Sequence, residues 1–307
     1  MSRSGRLRLR HRVEFGAYRA LAALLAALPE RAAAALGSSL GWVAGAALRL
    51  RRDVVDANLA RAFPERDRSW RARVAVASYR HLGREAVMTL RLGRATPAEV
   101  LERTEIVGLE ELRLALSRGR GALGVTGHLG NWELGGAAVA ARGLPVQVVV
   151  YRQRNPLFHE ELVTTRGRLG LRVIPRGRAR SEVLAALRAG GAVGLAADQD
   201  AGANGVFVDF LGERASTARG PALFALRSGA PLFAVACLAV EGRPRRYRVH
   251  IEEIPCRRSG DLEADVSRLT QAHADFVARF VREAPEQYFW VHKRWKTRPG
   301  GPPTGSG

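Results

Sequence analysis

His128 and Glu133 stand five positions apart in GVTGHLGNWELGG, residues 124–136. A carboxylate on one imidazole nitrogen fixes the tautomer and leaves the other nitrogen free as a general base. Five residues of helix rotate the chain by about 500°, which leaves the two side chains about 140° apart. They cannot share one helical face. They can meet across a corner, with His128 on a loop after a strand and Glu133 in the first turn of the next helix. No Ser or Cys nucleophile adjoins them, so the pair points to deprotonation of a substrate hydroxyl. The plainer alternative is a polar histidine that merely closes a strand.

Two further stretches are dense in chemistry. DQDAGANGVFVDFLGERASTARG, residues 198–220, opens with Asp198, Gln199 and Asp200 and runs on through Ser216 and Thr217. Two acids at a strand end can hold a metal, a basic side chain or a sugar hydroxyl. PEQYFWVHKRWKTRP, residues 285–299, interleaves aromatics with Lys293, Arg294, Lys296 and Arg298. Such a segment suits stacking with phosphate contact or a membrane interface. A GxGxxG match at Gly119, Gly121 and Gly124 follows a helix and precedes a strand, the reverse of a dinucleotide site. P-loop and HExxH patterns are missing from the sequence, so a zinc-protease reading lacks its marker.

These residues need a scaffold, and the pattern supplies one. Helical periodicity covers 52–94 with a break at Pro64. TPAEVLERT opens a helix with Thr96 as cap, Pro97 at the first turn and Glu99 at the third position. Strands GALGVTG, PVQVVVYR, LRVIPR, AVGLAADQD and APLFAVACLAVEG then alternate with helices, including NWELGGAAVAARG capped by Asn131. RYRVHIEEIP alternates like a half-exposed strand, and a long amphipathic helix follows. This rhythm predicts an α/β fold with a mostly parallel central sheet flanked by helices. In such sheets ligands bind at the C-terminal ends of strands, which is where His128 falls.

The 307 residues are 47% apolar, which excludes a disordered chain, and 49 Lys+Arg against 29 Asp+Glu give a net charge of +20. An anionic partner follows from that balance. Cys237 and Cys256 form no metal-binding spacing and are expected as reduced thiols. After a basic start, residues 32–48 carry no charge over 17 positions, the lower limit for a spanning helix. Residues 13–50 are expected to form one or two membrane-associated helices flanked by arginines; an alanine-rich hairpin packed on the rest of the chain is the alternative. The expected division is a basic, membrane-associated segment over 1–50, a catalytic domain over 51–299 and a disordered tail over 300–307.

Five blocks, in order, carry a family resemblance. NLARAFPE (58–65), GHLGNWE (127–133), VYRQRNPLFHEELVTTRGRLG (150–170), DQDAGANGVFVDFLGERASTARGPALFALRSGAP (198–231) and PEQYFWVHKRWKTRP together resemble the bacterial lipid A late acyltransferases, within the lysophospholipid acyltransferase superfamily. The resemblance implies transfer of a fatty acyl chain from acyl carrier protein or coenzyme A to a hydroxyl of a membrane glycolipid. It implies His128 as base, Glu133 as its orienting carboxylate, Arg166 as the cation facing developing negative charge and Asp198 as the family's acid. Asn131, Arg152, Gln199, Asp200, Thr217 and Arg294 complete the expected substrate-contacting set. Trp132 and Gly130 fall at variable positions. No acyl-enzyme, metal or further cofactor is expected beyond the acyl thioester co-substrate. Expected partners are an anionic glycolipid, acyl carrier protein and a membrane surface, not nucleic acid, and the chain is expected to act as a monomer at the cytoplasmic face of the bacterial inner membrane. The competing readings are an acyltransferase for another glycolipid, such as a phosphatidylinositol mannoside, a thioesterase-like hydrolase, and a non-catalytic basic membrane- or nucleic-acid-binding protein.

Overall fold

The computed structural model describes residues 3–240 and 246–300; most of the expected tail, 301–307, lies outside the described residues. Helices α1 (Arg3–Ala27), α2 (Glu30–Trp42), α3 (Arg52–Ala62), α4 (Arg68–Leu92) and α5 (Pro97–Arg103) precede the sheet. Local chemistry sets their starts. Asp67 accepts from Trp70 N at the head of α4, and Thr96 with Glu99 forms a complete capping box on α5, satisfying donors that the first turn leaves open.

The sheet region then runs β1 (Thr104–Val107), α6 (Leu109–Ser117), β2 (Ala122–Gly130), α7 (Trp132–Ala140), β3 (Val146–Val150), α8 (Pro156–Arg168), β4 (Arg172–Pro175), α9 (Ala179–Arg188) and β5 (Ala192–Ala196). It continues through β6 (Val206–Phe210), β7 (Glu213–Thr217), α10 (Gly220–Ser228), β8 (Leu232–Ala239), β9 (Tyr247–Ile254) and α11 (Leu262–Glu283). Seven strands form one sheet in the order β1-β9-β8-β2-β5-β3-β4. The run β8-β2-β5-β3-β4 is parallel, whereas β9 is antiparallel to β8 and parallel to β1. The expected mostly parallel α/β architecture is therefore observed. Two elements escaped the pattern: short β1, and the antiparallel hairpin β6–β7, whose VFVDF and ERAST strands are too brief to stand out among polar residues.

Buried residues cover both faces of the sheet. On one face Leu123, Val125 and Val193 pack with α9, α10 and α11; on the other Ala122, Ala192, Phe233 and Ile251 pack with α6 and α7. The alternation along β2 is the two-residue period of a strand covered on both sides. β2 and β5 are neighbours, yet α7, which leaves β2, and α9, which enters β5, lie on opposite faces. That is a topological switch point, where the connections diverge and leave a crevice at the strand ends.

The N-terminal region is helical, as expected for residues 13–50. No single described helix is long and apolar enough to cross a membrane, and the one pair that passes by composition, Glu30–Ala47 with Arg52–Ala62, is bent by 89°. Helix α2 packs closely along α4. Gly37, Gly41 and the π-helical Gly45 recur every four residues against Gly83 and Tyr79, and a Cβ on Gly41 would collide with the Tyr79 carbonyl oxygen. Small residues at that period let two backbones approach. The outward side leaves Leu21, Leu24, Leu40 and Trp42 exposed.

Candidate active site

The end of β2 is irregular, and the irregularity presents His128. Pairing with β5 stops at Thr126, and the register with β8 shifts between Thr126 and Gly130. The strand nevertheless continues through His128, where a loop was expected. Its backbone groups find other partners: His128 N donates to Asp198 Oδ2 at 2.8 Å, and its carbonyl accepts from Phe289 N at 3.0 Å. Gly130 ends the strand at φ +59, and a Cβ there would strike the Cys237 carbonyl, so this turn requires glycine. Asn131 then caps α7 by accepting from Leu134 N, as its position in the sequence suggested.

His128 Nδ1 lies 2.6 Å from Asp198 Oδ1, and the Asp198 side chain is 4% exposed. Burial alone works to raise the Asp198 carboxyl; the charge of His128 and both hydrogen bonds from it outweigh burial and hold it well below the usual carboxylate range. For His128, burial works to lower the pKa, but Asp198 outweighs it, Glu133 adds to the effect, and the net shift is upward. With an ionised acid on Nδ1, neutral His128 carries its proton there and exposes the Nε2 lone pair. Gln199 Nε2 approaches Nε2 at 3.5 Å. The Trp132 ring stands edge-on to the imidazole at 4.9 Å, and Phe289 lies at 5.9 Å.

Glu133 does not orient His128. Its carboxylate is taken by Arg166, with Nη2 at 2.6 Å and Nε at 3.1 Å. The guanidinium fork matches a carboxylate edge-on, and α8 delivers Arg166 to the first turn of α7. The expected quartet His128, Glu133, Arg166 and Asp198 thus converges, but as two pairs with the partners reassigned.

The expected substrate-contacting set divides. Gln199 and Asp200 line the cleft described below. Asp200 is also tied into the fold, accepting from Thr297 N and Oγ1. Asn131, Thr217 and Arg294 are buried. Arg294 donates to the Ser216 carbonyl and to Thr217 Oγ1 beneath the hairpin, and Asn131 is occupied as a cap, so these three brace the site from behind and do not line the cleft. Arg152 is exposed between Tyr151 and Gln153, which line the cleft while it does not. Sequence reasoning missed Trp132, Phe289, Tyr151, Arg176 and Arg219. Only the aromatic density of the C-terminal block signalled any of them.

A cleft of about 800 Å³ opens at the switch point and straddles the end of β5. One arm runs beside β2 under α7, between Gly124, Gly136, Val148, Gly194, Phe233 and Ile251. It is apolar, and glycines on two paired strands and on the helix make its room: Gly124 pairs with Gly194 in register. The other arm reaches toward the opposite face past Asp200, Asn204, Tyr151, Arg176, Arg219 and Phe224. There the Arg176 guanidinium lies over the Tyr151 ring at 4.2 Å, and Arg219, whose Nη2 is paired with Glu263, keeps a buried Nε with no hydrogen-bond partner among the described residues. Between the arms stand His128, Trp132, Glu133 and Arg166. A base held on Asp198, a fixed guanidinium, an apolar slot and a cationic slot together suit transfer of an apolar acyl group to an anionic, hydroxyl-bearing acceptor.

Comparison with known proteins agrees in class. The model of the bacterial lipid A biosynthesis acyltransferases matches residues 3–297. The chain is 30% identical over 273 residues to the lipid A biosynthesis palmitoleoyltransferase of Escherichia coli (strain K12), covering 87% of this chain and 85% of that one. It is 30% identical over 289 residues to the lauroyltransferase of the same organism, covering 92% and 90%. It is 32% identical over 305 residues to the phosphatidylinositol mannoside acyltransferase of Mycolicibacterium smegmatis, covering 96% and 95%. The chain therefore belongs to the bacterial lipid A biosynthesis acyltransferase family and is an acyltransferase.

Proposed function

We propose that the protein moves a fatty acyl chain from a thioester, on acyl carrier protein or coenzyme A, to a hydroxyl of a lipid A precursor. The observation that carries this reading is His128. Its Nδ1 is locked on buried Asp198, and its Nε2, approached by Gln199 at 3.5 Å, stands between an apolar arm and a cationic arm of one cleft. In the reaction His128 Nε2 takes the acceptor hydroxyl proton as that oxygen bonds to the thioester carbonyl carbon. Negative charge collects on the carbonyl oxygen. Two of the Arg166 nitrogens are engaged by Glu133, which fixes the plane of the guanidinium; Nη1 meets the developing oxyanion. Collapse breaks the C–S bond. The leaving thiolate, with a pKa of about 8.5, needs little acid help and accepts the proton that His128 holds. Asp198 stabilises the imidazolium between those two transfers.

The apolar arm holds the acyl chain, and the arm bearing Arg176 and Arg219 holds the anionic headgroup. The net charge of +20 draws in both an anionic lipid and an acidic carrier protein. The exposed Leu21, Leu24, Leu40 and Trp42 rest on the lipid surface, an interfacial contact that requires no span. A phosphatidylinositol mannoside acceptor is the second reading, favoured by the mycobacterial relative, whose similarity extends over 96% of this chain. Both acceptors are polyhydroxylated and anionic, so one cleft chemistry serves either.

The test is a purified-enzyme assay with acyl carrier protein and coenzyme A donors against lipid A precursor, phosphatidylinositol mannoside and water. Acyl transfer to the lipid A precursor is expected. Preference for the mannoside replaces the first acceptor with the second, and free fatty acid in place of acylated lipid overturns both.

A further inference from the structure

Behind the site lies a buried polar cluster that the reaction does not use directly. Its centre is Glu85 on α4, 5% exposed. Glu85 Oε2 accepts from Asn131 Nδ2 at 2.9 Å and from the Tyr247 hydroxyl at 2.9 Å. Oε1 accepts from Arg84 Nε at 2.9 Å, and Arg84 Nη2 donates to His81 Nδ1 at 3.0 Å. Burial pushes His81 down to about 4, so it stays a neutral acceptor. Burial first, and the charge of Glu85 second, push Tyr247 upward, so its hydroxyl stays a donor. Three elements, α4, β9 and the β2–α7 corner, meet on this one carboxylate.

The connection to the site is Asn131, three residues after His128 and two before Glu133. Its amide has two possible orientations, and Glu85 Oε2, which accepts from the Tyr247 hydroxyl as well, presents an acceptor to it. Glu85 therefore compels Asn131 to turn its NH₂ inward. That leaves Oδ1 facing outward, where it accepts from Leu134 N at 3.0 Å. Were packing alone at stake, an apolar side chain would fill the space without the cost of desolvating a carboxylate. The carboxylate adds an orientation lock.

We infer that Glu85 is a positioning residue: through the amide of Asn131 it sets the first turn of α7, and with it the Glu133 carboxylate that holds Arg166. The wiring stands on geometry alone; its effect on rate rests on the acyl-transfer reading above.

The test exchanges donor and acceptor across the contact. In Glu85→Leu the acceptor facing Asn131 is removed, so nothing holds the Asn131 NH₂ inward and the cap is lost. Asn131→Asp sets two carboxylates against each other. The double variant E85Q/N131D restores one donor facing one acceptor, and the second oxygen of the introduced carboxylate caps Leu134 again. Two readouts apply: amide hydrogen exchange at Leu134, which needs no activity, and kcat and KM for acyl transfer. Each single variant is expected to lose protection at Leu134 and about 10²-fold in kcat, the size of a displacement of roughly 1 Å at a reacting group, with KM little changed. The double variant is expected to recover both. Wild-type exchange and kcat in the single variants, or a double variant no better than either, overturns the inference. Should the single variants not fold, recovery of a folded, active double variant supports the same wiring, and its failure to fold overturns it. If exchange follows the expected pattern but the wild-type protein transfers acyl groups to no acceptor, the wiring is supported and only the acyl-transfer reading falls.

Discussion

The pairs His128–Asp198 and Glu133–Arg166 join a base and an acid at the same distance, 2.6 Å, in the same cleft. They differ in depth. Asp198 is 4% exposed and bonds both the ring and the backbone of His128, whereas Glu133 is 26% exposed at the cleft wall and Arg166 13%. In the first pair the buried acid and the histidine, itself 21% exposed, set each other's protonation, because their mutual attraction outweighs the opposing effect of burial on each. The second pair holds a guanidinium in a fixed plane through two hydrogen bonds to one carboxylate. In the proposed reaction, proton transfer and charge stabilisation fall to separate pairs. Sequence spacing alone joined His128 to Glu133, across that division.

Substitutions separate the two pairs. The largest effect is expected for His128→Ala, a loss of roughly 10²–10⁴-fold in kcat, measured by acyl transfer with membrane binding as the control. Asp198→Asn is expected to cost about as much and to move the pH profile as well. In the wild type His128 is raised above its usual value and acts only when deprotonated, so kcat/KM rises with pH through that raised pKa. Removing the Asp198 charge leaves the burial that lowers His128, so the acidic limb shifts to lower pH. A profile that moves upward would assign the raised pKa to some other group.

Arg166→Ala comes next, at about 10²–10³-fold in kcat, the usual value of one donor to an oxyanion, with the acidic limb shifted far less than in the Asp198 variant. Glu133→Gln is expected to be milder than Arg166→Ala and to lower the acidic limb slightly, because Glu133 is a minor contributor to the raised His128. Equal pH shifts in the Asp198 and Glu133 variants would erase the distinction between the pairs. The smallest effect lies away from both. At Gly124 an added Cβ meets its first neighbour, Val235, only at 3.6 Å. Gly124→Ala therefore fits the fold while narrowing the apolar arm. Shorter acyl donors should gain in relative kcat/KM by a few-fold per methylene, following the ~0.8 kcal/mol transfer energy of each CH₂. A donor panel on wild-type and variant proteins measures this.

The N-terminal helices show a second limit of pattern. An uncharged, glycine- and alanine-rich run reads the same whether lipid or another helix covers it. The four-residue recurrence of Gly37, Gly41 and Gly45 is specific to close contact with α4, but a helix partner about 40 residues away leaves no mark on the local sequence.

The sequence by itself determined the alternating α/β elements, the helix caps at Thr96 and Asn131 and the mostly parallel sheet, and its resemblance to a family singled out His128, Glu133, Arg166 and Asp198. These follow from side-chain period, from short-range hydrogen bonding and from motifs read in order. Only the tertiary structure decided which acid serves which base. Asp198 lies 70 residues from His128, yet β5 ends beside β2 and brings it to 2.6 Å. Glu133, five residues away, is turned by α7 toward α8 and Arg166. The same holds for Glu85, which reaches Asn131 across 46 residues. Partner choice in a folded chain depends on strand order and on which groups remain buried without a counter-charge, and neither is a property of local spacing.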